Sequence, residues 1–233
     1  MSGTIEQLIA RLGAAQKKLN ALEAQERPLA LRGWRDDFLG DSIHEQYTAV
    51  SAGAGSGGAL QNNAHGGVYR LTAGAGVGFY HYLWLGNAAA GYATLDADEG
   101  WEMITWMAIS HTTNMYGDFG VNVPGVDTIM AGFASPDVAN NWRLVTRTAA
   151  GPVNIVDSGI AADTDPHVHR LVTYPITGGL RQADYFLDGA LIATTSVSVP
   201  ITVITPIVRA YAIAVAARYV DLDFWAVIPR NLA

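Results

Sequence analysis

Three aromatic residues at alternate positions, Tyr80, Tyr82 and Trp84 in FYHYLWLG, offer the clearest binding chemistry in the chain. In an extended strand alternate residues share a face, so the three rings form a stripe. Such rings pair an apolar face with a polar tip, which suits stacking on a sugar. The favoured reading of the stripe is nonetheless a sandwich core or a contact with a neighbouring subunit, where Tyr and Trp are enriched, with sugar stacking the alternative. His167 and His169, two apart, also share a face and have the ring nitrogens that a transition metal takes, but no third ligand accompanies them. No metal site is therefore expected from them. The acidic runs Asp96–Glu99 and Asp163–Asp165 carry the hard oxygen donors that calcium prefers, without the spacing of an EF-hand. Solvated turns are the simpler reading, and calcium is the one cofactor left open. Asp188 precedes Gly189 between two strand-like runs, where a two-residue hairpin turn needs positive φ, so its expected role is the turn.

The elements that position these residues are strands. From Trp34 onward, strand-like runs alternate with Gly, Pro, Asn and Asp clusters, the pattern of an all-β sandwich or barrel. The clearest runs are GGVYRLTA, VGFYHYLWLG, WEMITWMAIS, NWRLVTRT, VHRLVTY, ADYFLDGALIATT and RYVDLDFWAVI. In the last, strict alternation would put Val220, Leu222, Phe224 and Ala226 on one face, with Asp221, Asp223 and Trp225 on the other. Trp101 to Ile109 is apolar on both faces, as a strand that sits centrally or against a neighbouring subunit is. At 233 residues, with 50% hydrophobic and 15% charged, the chain can bury a large core in one domain.

The first 33 residues differ. Ile5, Leu8, Leu12, Ala15, Leu19 and Leu22 alternate spacings of three and four, a coiled-coil seam. Thr4 and Gln7 form a capping box, and Pro28 ends the helix. The seam predicts self-association, with a trimer favoured and a dimer left open. An amphipathic helix lying on its own β-body, or docked in a partner's groove, is the alternative reading. The expected organisation is a helix and linker over 1–33 and a β-sandwich over 34–233.

Charge limits the partners. The first 33 residues hold Arg11, Lys17, Lys18, Arg27 and Arg32 against Glu6, Glu23 and Glu26, while the whole chain has a net charge of −7. The body is thus strongly acidic, which excludes nucleic acid as the expected partner, because phosphate binding depends on Lys and Arg. The longest apolar run, ITVITPIVRAYAIAVAA, contains Pro206 and Arg209 and is too short and interrupted for a membrane span, so no membrane partner is expected. No basic segment followed by an apolar run opens the chain, so no secretory leader is expected. With no cysteine there is no disulfide.

The ordered set GGVYRLTAGAGVGFYHYLWLG, NWRLVTR, ADTDPHVHRLVTY, YFLDGALIATT and YVDLDFWAVI resembles the concanavalin A-like lectin/glucanase jelly roll. It is similar, more narrowly, to versions of that domain in tailed-bacteriophage virion proteins. The resemblance covers roughly residues 34–228 and implies a two-sheet antiparallel jelly roll that binds glycan, cleaves it, or serves as scaffold. The family's glucanases carry Glu-x-Asp-x-x-Glu on one strand face. Beyond the first 33 residues only Glu45, Glu99 and Glu102 occur, none so spaced, so no enzyme activity and no catalytic residue is expected. The resemblance together with the helical root leads to the expectation of a non-enzymatic structural protein on a bacteriophage virion surface. This would be a homotrimeric capsid decoration protein or short fibre, with capsid or tail proteins as partners. The alternative is a carbohydrate-binding adhesin whose surface glycan stacks on Tyr80, Tyr82 and Trp84.

Overall fold

A computed structural model describes residues 34–36, 47–63, 66–87, 91–92, 100–122, 128–134, 140–148, 151–200 and 205–230. The seam residues Ile5, Leu8, Leu12, Ala15, Leu19 and Leu22, the acidic run Asp96–Glu99, and Glu45 lie outside these. The first strands are β1 (Trp34–Asp36), β2 (Tyr47–Ala52), β3 (Gly57–Asn63), β4 (Gly66–Ala73) and β5 (Tyr80–Asn87). Next come β6 (Gly91–Tyr92), β7 (Trp101–Ile109), β8 (Met115–Asn122), β9 (Thr128–Ala134), β10 (Asn141–Arg147) and β11 (Asn154–Ala161). The last are β12 (His167–Pro175), β13 (Arg181–Leu187), β14 (Ala190–Thr195), β15 (Thr205–Ala212) and β16 (Arg218–Pro229).

These strands form two antiparallel sheets. The first runs β14-β13-β12-β7-β16-β4-β3, with β1 added to β16; the second runs β11-β10-β9-β8-β15-β5-β2, with β6 added to β5. The expected all-β two-sheet jelly-roll sandwich is what the chain adopts. Each of the runs singled out from sequence is a strand or a hairpin, and the doubly apolar β7 sits centrally between β12 and β16. Between the sheets lies a core whose largest fully buried side chains include Trp101, Trp142, Trp225, Tyr185, Phe119 and Phe133. Aromatic contacts lock the layers together: Tyr47 of β2 stacks on Trp225 of β16 with centroids 5.7 Å apart, and Phe119 of β8 meets His169 of β12 at 5.9 Å. At the β11–β14 side, Asn154 Nδ2 donates to Thr146 of the second sheet and to Thr195 of the first.

One expectation is corrected in β16. The register shifts between Leu222 and Phe224, so Leu222 pairs with Met107 and Phe224 with Trp106. An extra residue reverses the alternation beyond it. Val220 and Leu222 therefore point inward with Trp225 and Val227, all buried, while Phe224 and Ala226 stand on the opposite face, the side of Asp221. The bulge carries a large indole into the core where strict alternation would have turned it out.

Candidate functional site

Inward contacts fix the faces of the second sheet. His81 reaches Tyr69 of the first sheet, Phe119 reaches Tyr185, and Trp142 reaches His169. Their neighbours in sequence, Tyr80, Tyr82, Asp118, Gly120 and Arg143, therefore face away from the sandwich interior. Register then orders that outward face in rows. One row reads Trp84, Ile207, Gly120, Met130, Val145; the next reads Val50, Tyr82, Arg209, Asp118, Gly132, Arg143, Asp157; a third holds Tyr80, Tyr211 and Tyr116.

The predicted stripe Tyr80, Tyr82 and Trp84 lies on this outward face and not in the inter-sheet core. Tyr80 stacks on Tyr82 with centroids 4.3 Å apart and planes 17° from parallel, and Tyr82 meets Trp84 edge-on at 6.4 Å. Trp84 is nonetheless buried, packed with Ile207 and Met130 against Val50, Tyr82 and Val145. It forms the floor, while Tyr80 and Tyr82 are half-buried and keep part of their rings accessible. Tyr211 extends the platform by stacking on Tyr80, and Tyr116 tilts against Tyr211 at 5.3 Å.

At the centre stands an ion pair. Arg209 Nε donates to Asp118 Oδ1 at 2.8 Å and Nη2 donates to Oδ2. Burial works against the charge on Arg209, but the neighbouring Asp118 carboxylate and its hydrogen bonds outweigh it and hold the guanidinium above the ordinary arginine range. The phenol of Tyr82 is raised chiefly by burial, so it stays neutral and able to donate. Both Arg209 and Arg143 lie over the Tyr116 ring, 5.2 and 5.7 Å from its centroid. Sequence reading missed Tyr116, Asp118, Arg209 and Tyr211. Their signal was period-two placement in YGDF and VRAY, diluted because Gly117 and Gly120 make β8 read as a turn-rich segment.

The rows also carve relief into the face. Gly120 has φ +154° and Gly132 φ +139°, and a Cβ at either would meet the backbone of the neighbouring strand at 2.0 and 2.5 Å. The floor between Arg209 and Arg143 is therefore free of side-chain bulk at Gly132.

The other candidates resolve differently. His167 and His169 both point into the sandwich on β12 but do not converge on a common point. His167 donates from Nδ1 to Asp188 Oδ2 at 2.7 Å and from Nε2 to Asp163 Oδ1 at 2.9 Å. Burial lowers its pKa, but the two carboxylates overcome that and raise it, because a carboxylate on each nitrogen favours the ring form that donates from both. His169 is fully buried against Tyr185 OH at 2.7 Å, and burial, with the charge of His167 behind it, lowers its pKa to about 3. Asp163 also accepts from the Asp165 amide, so the Asp163–Asp165 run forms a local turn clasped to His167. Asp188 has φ +49° and Gly189 φ +84°, the turn expected of them, and Asp188 additionally accepts from the Val168 amide. Glu102 accepts two hydrogen bonds from Arg170. Among the described residues no group of three or more His, Asp or Glu is gathered as a metal site.

No family model matches the chain, and no curated protein matches it. Solved structures do. A carbohydrate recognition domain of Emp47p superposes with a TM-score of 0.57 at 12% identity, covering 85% of this chain and 95% of that one. A β-glucanase of Bacillus licheniformis gives 0.59 at 14% identity, covering 85% and 98%. The Crh5 transglycosylase gives 0.56 at 13% identity, covering 88% and 87%. These neighbours correct the expectation of a non-enzymatic virion decoration protein or fibre. The solved structures that share the architecture include glucanases, a transglycosylase and carbohydrate recognition domains, so neither the virion role nor the exclusion of enzyme activity stands. The fold is the concanavalin A-like lectin/glucanase jelly roll.

Proposed function

We propose that this chain recognises a carbohydrate on the outward face of its second sheet. The observation that carries the reading is the platform of Tyr80, Tyr82, Tyr116 and Tyr211 set around the Arg209–Asp118 pair. Aromatic faces stack on the C–H faces of sugars, while phenols and a guanidinium edge supply the directional bonds that fix orientation. The buried floor of Trp84, Ile207 and Met130 holds the platform rigid. Among solved structures of the same fold, a carbohydrate recognition domain and glucanases lend support, each at low identity. Cleavage by retention would need a second carboxylate about 5–5.5 Å from the first. Asp118, the central carboxylate of this face, is engaged by Arg209 on both oxygens, an arrangement better suited to orientation than to attack.

A glycan array followed by titration calorimetry tests the reading. One reproducible ligand, weakened by Tyr82→Ala without loss of the fold, is the expected result. An array blank across neutral and acidic polysaccharides would overturn it. The same polysaccharides should be assayed for new reducing ends, since turnover would identify the protein as a hydrolase acting on the glycan it binds.

A further inference from the structure

Independently of the glycan face, we infer that the end of the sandwich where β16 begins binds a tetrahedral oxyanion of the phosphate or sulfate type. The residue that marks the site is Arg218. Val220 and Leu222 point into the core, so Arg218, two residues before Val220 on the same strand, is turned the same way, opposite the buried Ala73 of β4. It is only 8% exposed. Its Nη1 donates to the carbonyl of its own neighbour Ala217 at 3.2 Å, while its Nε is enclosed with no hydrogen-bond partner. No carboxylate among the described residues pairs with it.

Other arginines of the protein are treated differently. Arg70, Arg170 and Arg209 each donate from Nε and Nη2 to the two oxygens of one carboxylate, those of Asp221, Glu102 and Asp118. All three are half-buried, whereas Arg218, which has no such partner, is buried. A guanidinium keeps its proton at any working pH, so it cannot shed the cost of burial by becoming neutral. Buried charges are stable when paired, and an enclosed polar group left unpaired is a mark of an ion held from outside the chain.

Strand register brings a second donor alongside. β7 and β16 pair as far as Ile109 and Val220, and Ser110 and Tyr219 continue the ladder. The Ser110 amide donates to the Tyr219 carbonyl at 3.0 Å, and the Tyr219 amide donates to Ser110 Oγ at 2.9 Å. The next residues on the two chains are His111 and Arg218. His111 is exposed and hydrogen-bonded to Ser110 Oγ through Nδ1 at 3.0 Å, which leaves Nε2 for a ligand. Burial and then the charge of Arg218 lower the pKa of His111, so the two groups lie within electrostatic reach and an anion between them relieves the repulsion. The flat Nε–Nη2 fork that grips each carboxylate elsewhere is closed here, because Nε is enclosed. Separate contacts to Nη2 and to His111 Nε2 suit a ligand with oxygens on several sides, which a tetrahedral oxyanion is.

Calorimetry and thermal melts of the full chain with sulfate, inorganic phosphate, glycerol phosphate, acetate and chloride, at matched ionic strength, test the inference. Sulfate and phosphate should bind saturably and raise the melting temperature, and bound sulfate should raise the His111 pKa in an NMR titration. Glycerol phosphate binding as phosphate does supports a phosphate group carried on a larger molecule; phosphate binding alone supports the free ion. Arg218→Met, which keeps the length of the side chain without its charge, should weaken sulfate by about tenfold. His111→Gln, a change at an exposed position that leaves the core intact, should weaken it severalfold and lets the site be tested even where Arg218→Met does not fold. Acetate binding as tightly as sulfate overturns the tetrahedral assignment. Absence of saturable sulfate or phosphate binding, or affinity unchanged in either folded variant, overturns the site.

Discussion

Tyr80 and Trp84 sit four residues apart on one strand face, yet they do different work, and substitution should separate them. Tyr80 lies half-buried on top of the platform, stacked on Tyr82 and Tyr211. Removing its ring takes away contact area for a ligand and little for the fold. Tyr80→Ala should therefore lower glycan affinity by about tenfold, or about 1.4 kcal/mol, with a melting temperature within a few degrees of the parent. Trp84 packs with Ile207 and Met130 beneath it. Trp84→Ala should cost about 3–5 kcal/mol of stability in denaturant titration. If Tyr80→Ala binds as well as the parent, the platform is not the ligand surface. Alternation along FYHYLWLG is enough to place these three rings together; which of them is floor and which is surface depends on Ile207, Met130 and Val145, whose strands are distant in sequence.

Strands of this protein are constrained where glycine and turn chemistry leave no alternative. Gly120 on β8 has φ +154°, and a Cβ there would lie 2.0 Å from the Ile129 carbonyl oxygen on β9. Gly120→Ala must either push these central strands apart or strain the backbone, and should destabilise by more than about 2 kcal/mol in denaturant titration. Gly57→Ala is the control, because nothing lies within 4 Å of its Cβ position and its φ is unremarkable. Equal stability of the two variants would show that β8 and β9 can shift freely. The hairpin at Asp188 gives a second test. Asp188→Asn keeps a residue that tolerates positive φ but removes the charge that His167 faces. The hairpin should persist while the His167 pKa, followed by NMR titration, falls toward its ordinary value. No change in that titration would mean that Asp188 contributes nothing to the clasp. Both hairpin and strands were legible in sequence, since Asp-Gly and period-two runs report local backbone geometry. The bulge in β16 was not, because one added residue leaves no compositional mark and is decided by pairing to β4 and β7. The glycine-rich β8 and β9 were missed for a related reason: their glycines serve close strand approach, which a sequence presents as turns.

Across the whole sandwich, buried histidines couple sheet packing to pH. His81 bridges the layers, hydrogen-bonded through Nδ1 to Ser51 at 2.7 Å and through Nε2 to Tyr69 of the opposite sheet at 3.3 Å. Burial lowers its pKa from 6.5 to about 4, and that of His169 to about 3. Unfolded, both rings would take up protons near 6.5, so the unfolded state binds more protons wherever the pH lies below that value. Their contribution is complete above about pH 7 and shrinks as the pH falls from 6.5 to 4 and beyond, by about 3 kcal/mol for a shift the size of that of His81. His167 works in the opposite sense. Its raised pKa gives stability that is complete below 6.5 and is lost as the pH rises through the folded value. Together these groups should place maximum stability near neutrality, with the steeper loss on the acid side. Urea titrations from pH 4 to 9 measure this directly. His81→Gln should be less stable than the parent at pH 7 but show a shallower decline toward pH 4.5, because one proton-linked group has gone. A parent whose stability is flat between pH 6.5 and 4.5 would mean that the inter-sheet histidines open to water without unfolding the sandwich, and that the layers are not held by this polar bridge.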